Sequence, residues 1–297
     1  MTVLRREAIP LVAGLLAAPW VCGQAEAAPE AFPLWPGQPP GGGSPASVTH
    51  VRTPGLILHR PTRPNGRAVL IISGGGYHTI ALGKESAPAA RWLAKQGVTA
   101  FELIYRLPDD GWPSNATFAD GRRAVRVVRS QAARLGFESN SVGILGFSAG
   151  AHLAGMVAVG ARVGAYMPVD AADGLSARPD MAALIYPVLT MMPPWNHTQA
   201  FQRLLGDGAS PATCAAYSVE HQVKAGCPPV FLAQAADDPV SPVENSLLMF
   251  AALRQAGVPA EMHIFQRGGH GWGMGAPGSE VSAWPSLYAG WVAQSSG

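Results

Sequence analysis

The chain has 297 residues, 48% of them apolar and 13% charged, with a formal net charge of +2. That is material for one large globular domain or two modest ones, and it is too apolar for a disordered chain. No run of basic residues is longer than two (Arg5-Arg6, Arg122-Arg123), so neither nucleic acid nor an anionic membrane is an expected partner.

The first 27 residues read as an export signal. Arg5 and Arg6 form a basic start, the stretch 9–21 is apolar, and Ala25-Glu26-Ala27 is a small-residue cleavage pattern. The apolar run is short for a membrane span and is broken by Pro10 and Pro19. The expectation is a periplasmic or secreted protein with no membrane contact once the signal is removed. The Arg pair also fits a twin-arginine signal, and the choice between the two export routes stays open. Residues 28–50 are rich in Pro and Gly and read as an extended arm rather than a folded unit. The catalytic domain is expected over 51–297.

From there short apolar runs alternate with helical patterns. Strands are expected at 67–72, 98–104, 142–147, 182–188, 230–235 and 260–265. Helices are expected at 85–96, 118–135, 149–163, 243–256 and 280–292. Strands apolar throughout and separated by helices predict an α/β domain with a mostly parallel sheet covered on both faces. The stretch 190–228 shows no strand and reads as an excursion above the sheet, where a pocket wall could sit. Outside the signal two cysteines remain, Cys214 and Cys227, which either pair across a short loop or stay as thiols. No His pairs lie near them, so no zinc site or other metal is expected.

The chemistry concentrates at three turns. Gly146-Phe147-Ser148-Ala149-Gly150 matches G-x-S-x-G between an expected strand and an expected helix. Such a turn lifts the serine oxygen above the sheet, and its glycines let backbone approach closely. A serine nucleophile needs a base, and the base needs an acid to orient it. The strand 230–235 ends at Asp237-Asp238, and the strand 260–265 is followed by Gly268-Gly269-His270-Gly271, so acid and base follow in the order Ser, Asp, His. Of the two carboxylates Asp238 is favoured, because Pro239 and the Ser241-Pro242 step place it at the turn tip. His152 and His263 read as packing residues. The third turn is Gly74-Gly75-Gly76-Tyr77, after the strand 67–72. One of its amides, with that of Ala149, is expected to form an oxyanion hole. It is neither a phosphate loop nor a dinucleotide fingerprint, since the residues those motifs require are absent. No cofactor is implied. Tyr77, His78, Glu85 and Trp272 are candidates for lining the substrate pocket.

Taken together these segments resemble the α/β-hydrolase family of carbohydrate acetyl esterases and feruloyl esterases, the acetyl xylan esterase-like proteins. The resemblance runs from Val69 to Trp291. It is carried by G-G-G-Y at 74–77, K-E at 84–85, the run from Ala90 to Leu107, D-G-R-R-A-V-R-V-V-R at 120–129, G-F-S-A-G-A-H-L-A at 146–154, Y-P-V at 186–188, A-D-D-P-V-S-P-V-E-N-S at 236–246 and G-G-H-G-W-G at 268–273. It implies Ser148 as nucleophile, Asp238 as acid, His270 as base, an oxyanion contribution from the amides of Gly75 and Gly76, and a small-molecule or carbohydrate ester as substrate. The chain departs from the family pattern at Ser73, where Pro is frequent, and at Ala151, where Gly is. A serine peptidase of the same fold and a non-catalytic binding protein on this scaffold are the alternatives. Oligomeric state is not readable.

Overall fold

In a computed structural model, residues 30–41 and 50–294 are described. The export signal expected at 1–27 lies outside them. Eight strands form one sheet: β1 (Glu30–Pro33), β2 (Gly55–His59), β3 (Gly66–Ile72), β4 (Thr99–Ile104), β5 (Phe137–Phe147), β6 (Met181–Ile185), β7 (Val230–Ala235) and β8 (Ala260–Phe265). Their order across the sheet is β1-β2-β4-β3-β5-β6-β7-β8. The pairs from β4 through β8 are parallel, and β1 and β2 are antiparallel additions at one edge.

The period of two along each strand divides the core between the two sheet faces. Leu70 and Ile72 of β3 point to one face, joined by Leu103, Phe118, Val128 and Leu153. Val69 and Ile71 point to the other, joined by Ala90, Leu145, Phe147 and Trp284. The helices α1 (Ser86–Lys95), α2 (Ser114–Ser130), α3 (Ala132–Leu135), α4 (Ala149–Ala158), α5 (Gln199–Leu204), α6 (Pro211–Tyr217), α7 (Glu244–Gln255) and α8 (Trp284–Gln294) supply the remaining elements. Against the sheet, α2 and α4 build the first layer, and α1 and α8 build the second.

Three expectations are corrected and one is given more detail. The strand expected to run to 188 ends at Ile185, because Tyr186 turns to a positive φ of 37°. The helix expected over 149–163 stops at Ala158, two residues before Gly160 with its left-handed φ of 66°. The stretch 190–228 is an excursion as expected, but it carries α5 and α6. The arm at 28–50 is not merely extended: its residues 30–33 are an edge strand, and Trp35 Nε1 donates to Asp120 Oδ1 at 2.8 Å. Arg106, fully buried and paired with Asp120, donates to the carbonyl of Pro40, and Arg123 donates to that of Leu34. These bonds occupy carbonyls that an edge segment would otherwise turn to water.

Cys214 and Cys227 are separate buried thiols rather than a disulfide. Among the described residues no helix is long and apolar enough to cross a membrane.

Candidate active site

The parallel strands all end on one side of the sheet, where α/β proteins place ligands. At the end of β5 the chain enters α4 through Ser148, whose φ and ψ are 51° and −121°. A non-glycine residue there carries strain of about 1–3 kcal/mol, which only a well-supported turn can hold. The support is close backbone packing. A Cβ on Gly146 would lie 2.5 Å from the carbonyl oxygen of Gly150, and one on Gly150 would lie 2.3 Å from that of Ile72. Both positions therefore require glycine. Ser148 is held from behind by its own amide, which donates to Ile185 at 3.0 Å.

Ser148 Oγ lies 2.8 Å from His270 Nε2, and His270 Nδ1 lies 2.7 Å from Asp238 Oδ2. With Nδ1 donating to the carboxylate, Nε2 is free to accept the serine proton. The side chain of Asp238 is buried, and its Oδ1 accepts the amides of Val240 and Ser241 at 2.8 and 2.9 Å. These bonds hold the carboxylate in one orientation. The choice between the paired aspartates resolves geometrically. Asp237 is exposed and turns the other way, where Oδ1 accepts the amides of Gly268 and Gly269.

Facing Ser148 is the glycine loop after β3. Gly75, Gly76 and Ala149 line the cavity beside the serine, and among the described residues none of their amides has a protein acceptor. The amide of Gly74 is turned away, donating to Glu85 Oε2 at 2.6 Å. Ser73, the first departure from the expected family pattern, exchanges hydrogen bonds with Ser86, which gives the loop a polar anchor from below. The second departure, Ala151, is buried, and its backbone lies so close to Gly146 that a Cβ there would meet it at 2.5 Å.

The cavity encloses about 300 Å³. Its apolar wall is Ala81, Val188, Ala200 and Val240; His78, Lys84, Thr198 and Gln199 make it polar elsewhere. Two of the expected lining residues are placed differently. Tyr77 is wholly buried and its hydroxyl donates to His152 Nδ1 at 2.8 Å; His152 Nε2 donates to the carbonyl of Tyr217. Burial pushes the Tyr77 hydroxyl well above its ordinary range and lowers His152 to about 4, so both stay neutral. Trp272 packs against Tyr186 with ring centroids 4.5 Å apart and does not line the cavity. Neither lines the cavity; each packs behind a loop instead. His78 does line it, with Nδ1 on Asp109, which also pairs with Arg203 of α5. Glu85 lines it too, though its oxygens are taken by Gly74 and Tyr186.

Thr198 and Gln199 were not anticipated. They open α5, where the Thr198 hydroxyl accepts the amide of Phe201 as a helix cap. The capping pattern T-Q-A-F is visible in the sequence, but nothing there says that this helix faces the serine.

A hydroxyl at a strained strand-to-helix turn, an imidazole and a buried carboxylate from the ends of later strands, on a sheet of this order, define an α/β-hydrolase fold. The chain belongs to the BD-FAE family, whose sequence profile matches residues 56–253. It is 31% identical over 224 residues, 74% of its length, to an acetylxylan esterase of Xylanibacter ruminicola. It is 35% identical over 209 residues, 68% of its length, to endo-1,4-beta-xylanase B of Butyrivibrio fibrisolvens. The matched segments span 44% of the first relative and 32% of the second. Among solved structures, an acetyl ester-xyloside bifunctional hydrolase from Caldicellulosiruptor lactoaceticus superposes with a TM-score of 0.80 and 33% identity, covering 89% of this chain and 96% of that one. The propionate-bound esterase Est2 of Thermogutta terrifontis, 22% identical with a TM-score of 0.71, shares the fold.

Proposed function

We propose that the protein is a serine carboxylic ester hydrolase that removes acetyl or other small acyl groups from a carbohydrate. The observation that carries this reading is the run of contacts from Ser148 Oγ to His270 to Asp238, facing three unclaimed amides across one cavity. In this reading Ser148 attacks the ester carbonyl while His270 takes its proton. Asp238 keeps the imidazole in the right tautomer and stabilises the imidazolium. The amides of Gly75, Gly76 and Ala149, at the N-terminus of α4, receive the developing oxyanion, each worth on the order of 3 kcal/mol. The alcohol leaves with the proton from His270, and water repeats the sequence on the acyl-enzyme.

The acetylxylan esterase and acetyl ester-xyloside hydrolase relatives support an acetylated xylan or xylo-oligosaccharide as the substrate class. The polar side of the cavity, with Gln199, Lys84 and His78, suits a hydroxylated leaving group. The basic start and apolar run at the N-terminus support export, which would bring the enzyme to such a polysaccharide.

The test is acetate release from acetylated xylan by the wild type and by Ser148→Ala. Release by the wild type alone is the expected result. An inactive wild type on this and on p-nitrophenyl acetate would refute the esterase reading.

A further inference from the structure

One buried carboxyl group bonds the glycine loop beside Ser148 and, through Tyr186, reaches the loop that carries His270. Glu85 Oε2 accepts the amide of Gly74 at 2.6 Å, in the glycine loop. Its Oε1 accepts the hydroxyl proton of Tyr186 at 2.9 Å. The Tyr186 oxygen in turn accepts the amide of Gly273 at 3.1 Å, three residues past His270, and the Gly273 carbonyl accepts Trp284 Nε1 at 2.9 Å. The Tyr186 ring stands edge-on to the imidazole of His270, centroids 5.1 Å apart. Tyr186 also directly follows Ile185, whose carbonyl holds the amide of Ser148.

We propose that Glu85 and Tyr186 are a positioning pair that sets the spacing between the oxyanion loop and the histidine loop. The proposal rests on the serine hydrolase reading above.

Two features set this pair apart from ordinary packing. Desolvation of a carboxylate is costly, and burial indeed pushes the Glu85 carboxyl up against the pull of Gly74 and Tyr186. An apolar residue would fill the same space without that cost, but it could not accept two donors arriving from different loops. Tyr186, for its part, holds a positive φ that no glycine relieves, and this turn is what aims its hydroxyl at Glu85. Glutamine at 85 offers one acceptor and one donor. If it serves the Gly74 amide, the Tyr186 proton loses its partner.

The experiment uses the full chain as wild type, Glu85→Gln, Tyr186→Phe and the double variant. It reads steady-state kinetics on p-nitrophenyl acetate, Tm, and the rate of Ser148 labelling by a fluorophosphonate. Each single variant is expected to lose about 10- to 100-fold in kcat, as displacements near 1 Å do, while KM stays within about twofold. The double variant is expected to be no worse than the weaker single, because both remove one link. Labelling should slow in parallel. Tyr186→Phe keeps the ring in place and carries the test if Glu85→Gln folds poorly. Additive losses, a change confined to KM, or losses that track Tm would overturn the pair. If the wild type labels and the variants label equally fast, the pair alone is refuted. A wild type that never labels removes the serine hydrolase reading and the pair with it.

Discussion

Asp237 Oδ1 accepts the backbone amide of Gly269 at 2.7 Å, one residue before His270. The same oxygen accepts Gly268 at 2.9 Å, so this exposed carboxylate fixes the backbone that carries His270 while its neighbour Asp238 binds the imidazole itself. The two adjacent acids should therefore separate cleanly on mutation. Asp238→Asn is expected to lower kcat about ten-thousandfold through the wrong imidazole tautomer. Asp237→Asn keeps an acceptor oxygen for the two amides and should cost no more than about tenfold. Parallel kcat measurements on p-nitrophenyl acetate decide it; equal losses would reverse the assignment.

Two glycines of the site should respond differently to alanine. At Gly150 the new Cβ would meet the carbonyl oxygens of Ile72 and Ser73 at 2.3 and 2.5 Å, and central-strand backbone has nowhere to go. Gly150→Ala is expected to lose about 3 kcal/mol of stability or fail to fold. At Gly76, with φ of 63°, the clash is with the Gln199 side chain, Oε1 at 2.2 Å, which can swing aside. Gly76→Ala should cost only about 1–2 kcal/mol for the left-handed backbone, with a rise in KM as Gln199 is displaced. Denaturant midpoints and KM values check both.

The buried His152 predicts an acid-side loss of stability. Burial lowers its folded-state value from 6.5 to about 4. Between those values the unfolded chain binds a proton that the folded protein excludes, so stability is full above pH 6.5 and falls as the pH drops toward 4. The contribution is about 3 kcal/mol. His152→Gln should be less stable at pH 7 through its lost bonds to Tyr77 and Tyr217, yet show a shallower slope across that window. A Tm series from pH 4 to 8 reads the difference, and parallel slopes would contradict it.

Three small side chains, Val188, Ala200 and Val240, form one wall of the cavity and offer an acyl chain only a short apolar surface. Activity on p-nitrophenyl esters should hold from acetate to butyrate and fall at least about tenfold at octanoate. Val188→Ala should extend the range toward longer chains. A flat profile from acetate to octanoate would mean that the wall opens.

The parts of the fold that could be read in advance are those where local pattern and tertiary role coincide. The strands β3 and β5 are apolar along the stretch that the sheet buries on both faces, and β7 is so but for Gln234, so composition alone marks them. The serine turn was legible for a steric reason, since Gly146 and Gly150 are demanded by contacts under 3 Å. β1 was not legible, because four residues beside prolines carry no periodicity and gain their strand form only from pairing with β2. Tyr77 misled for a related reason. Its neighbours in sequence line the cavity, but a positive φ of 58° turns it into the core. Gln199 arrives from a remote helix, and no spacing along the chain encodes that approach.

The arm from Glu30 to Gly41 bears on how this chain tolerates shortening. Trp35 supplies one of the donors to Asp120, an acid with no solvent exposure, and the carbonyl of Pro40 accepts a hydrogen bond from Arg106. A protease cut or a leader-processing site placed after Trp35 would strip the lid from a buried ion pair and remove an edge strand together. The arm thus acts as a clasp, and a shortened chain that is to stay closed must keep it whole, with its new N-terminus placed before Glu30.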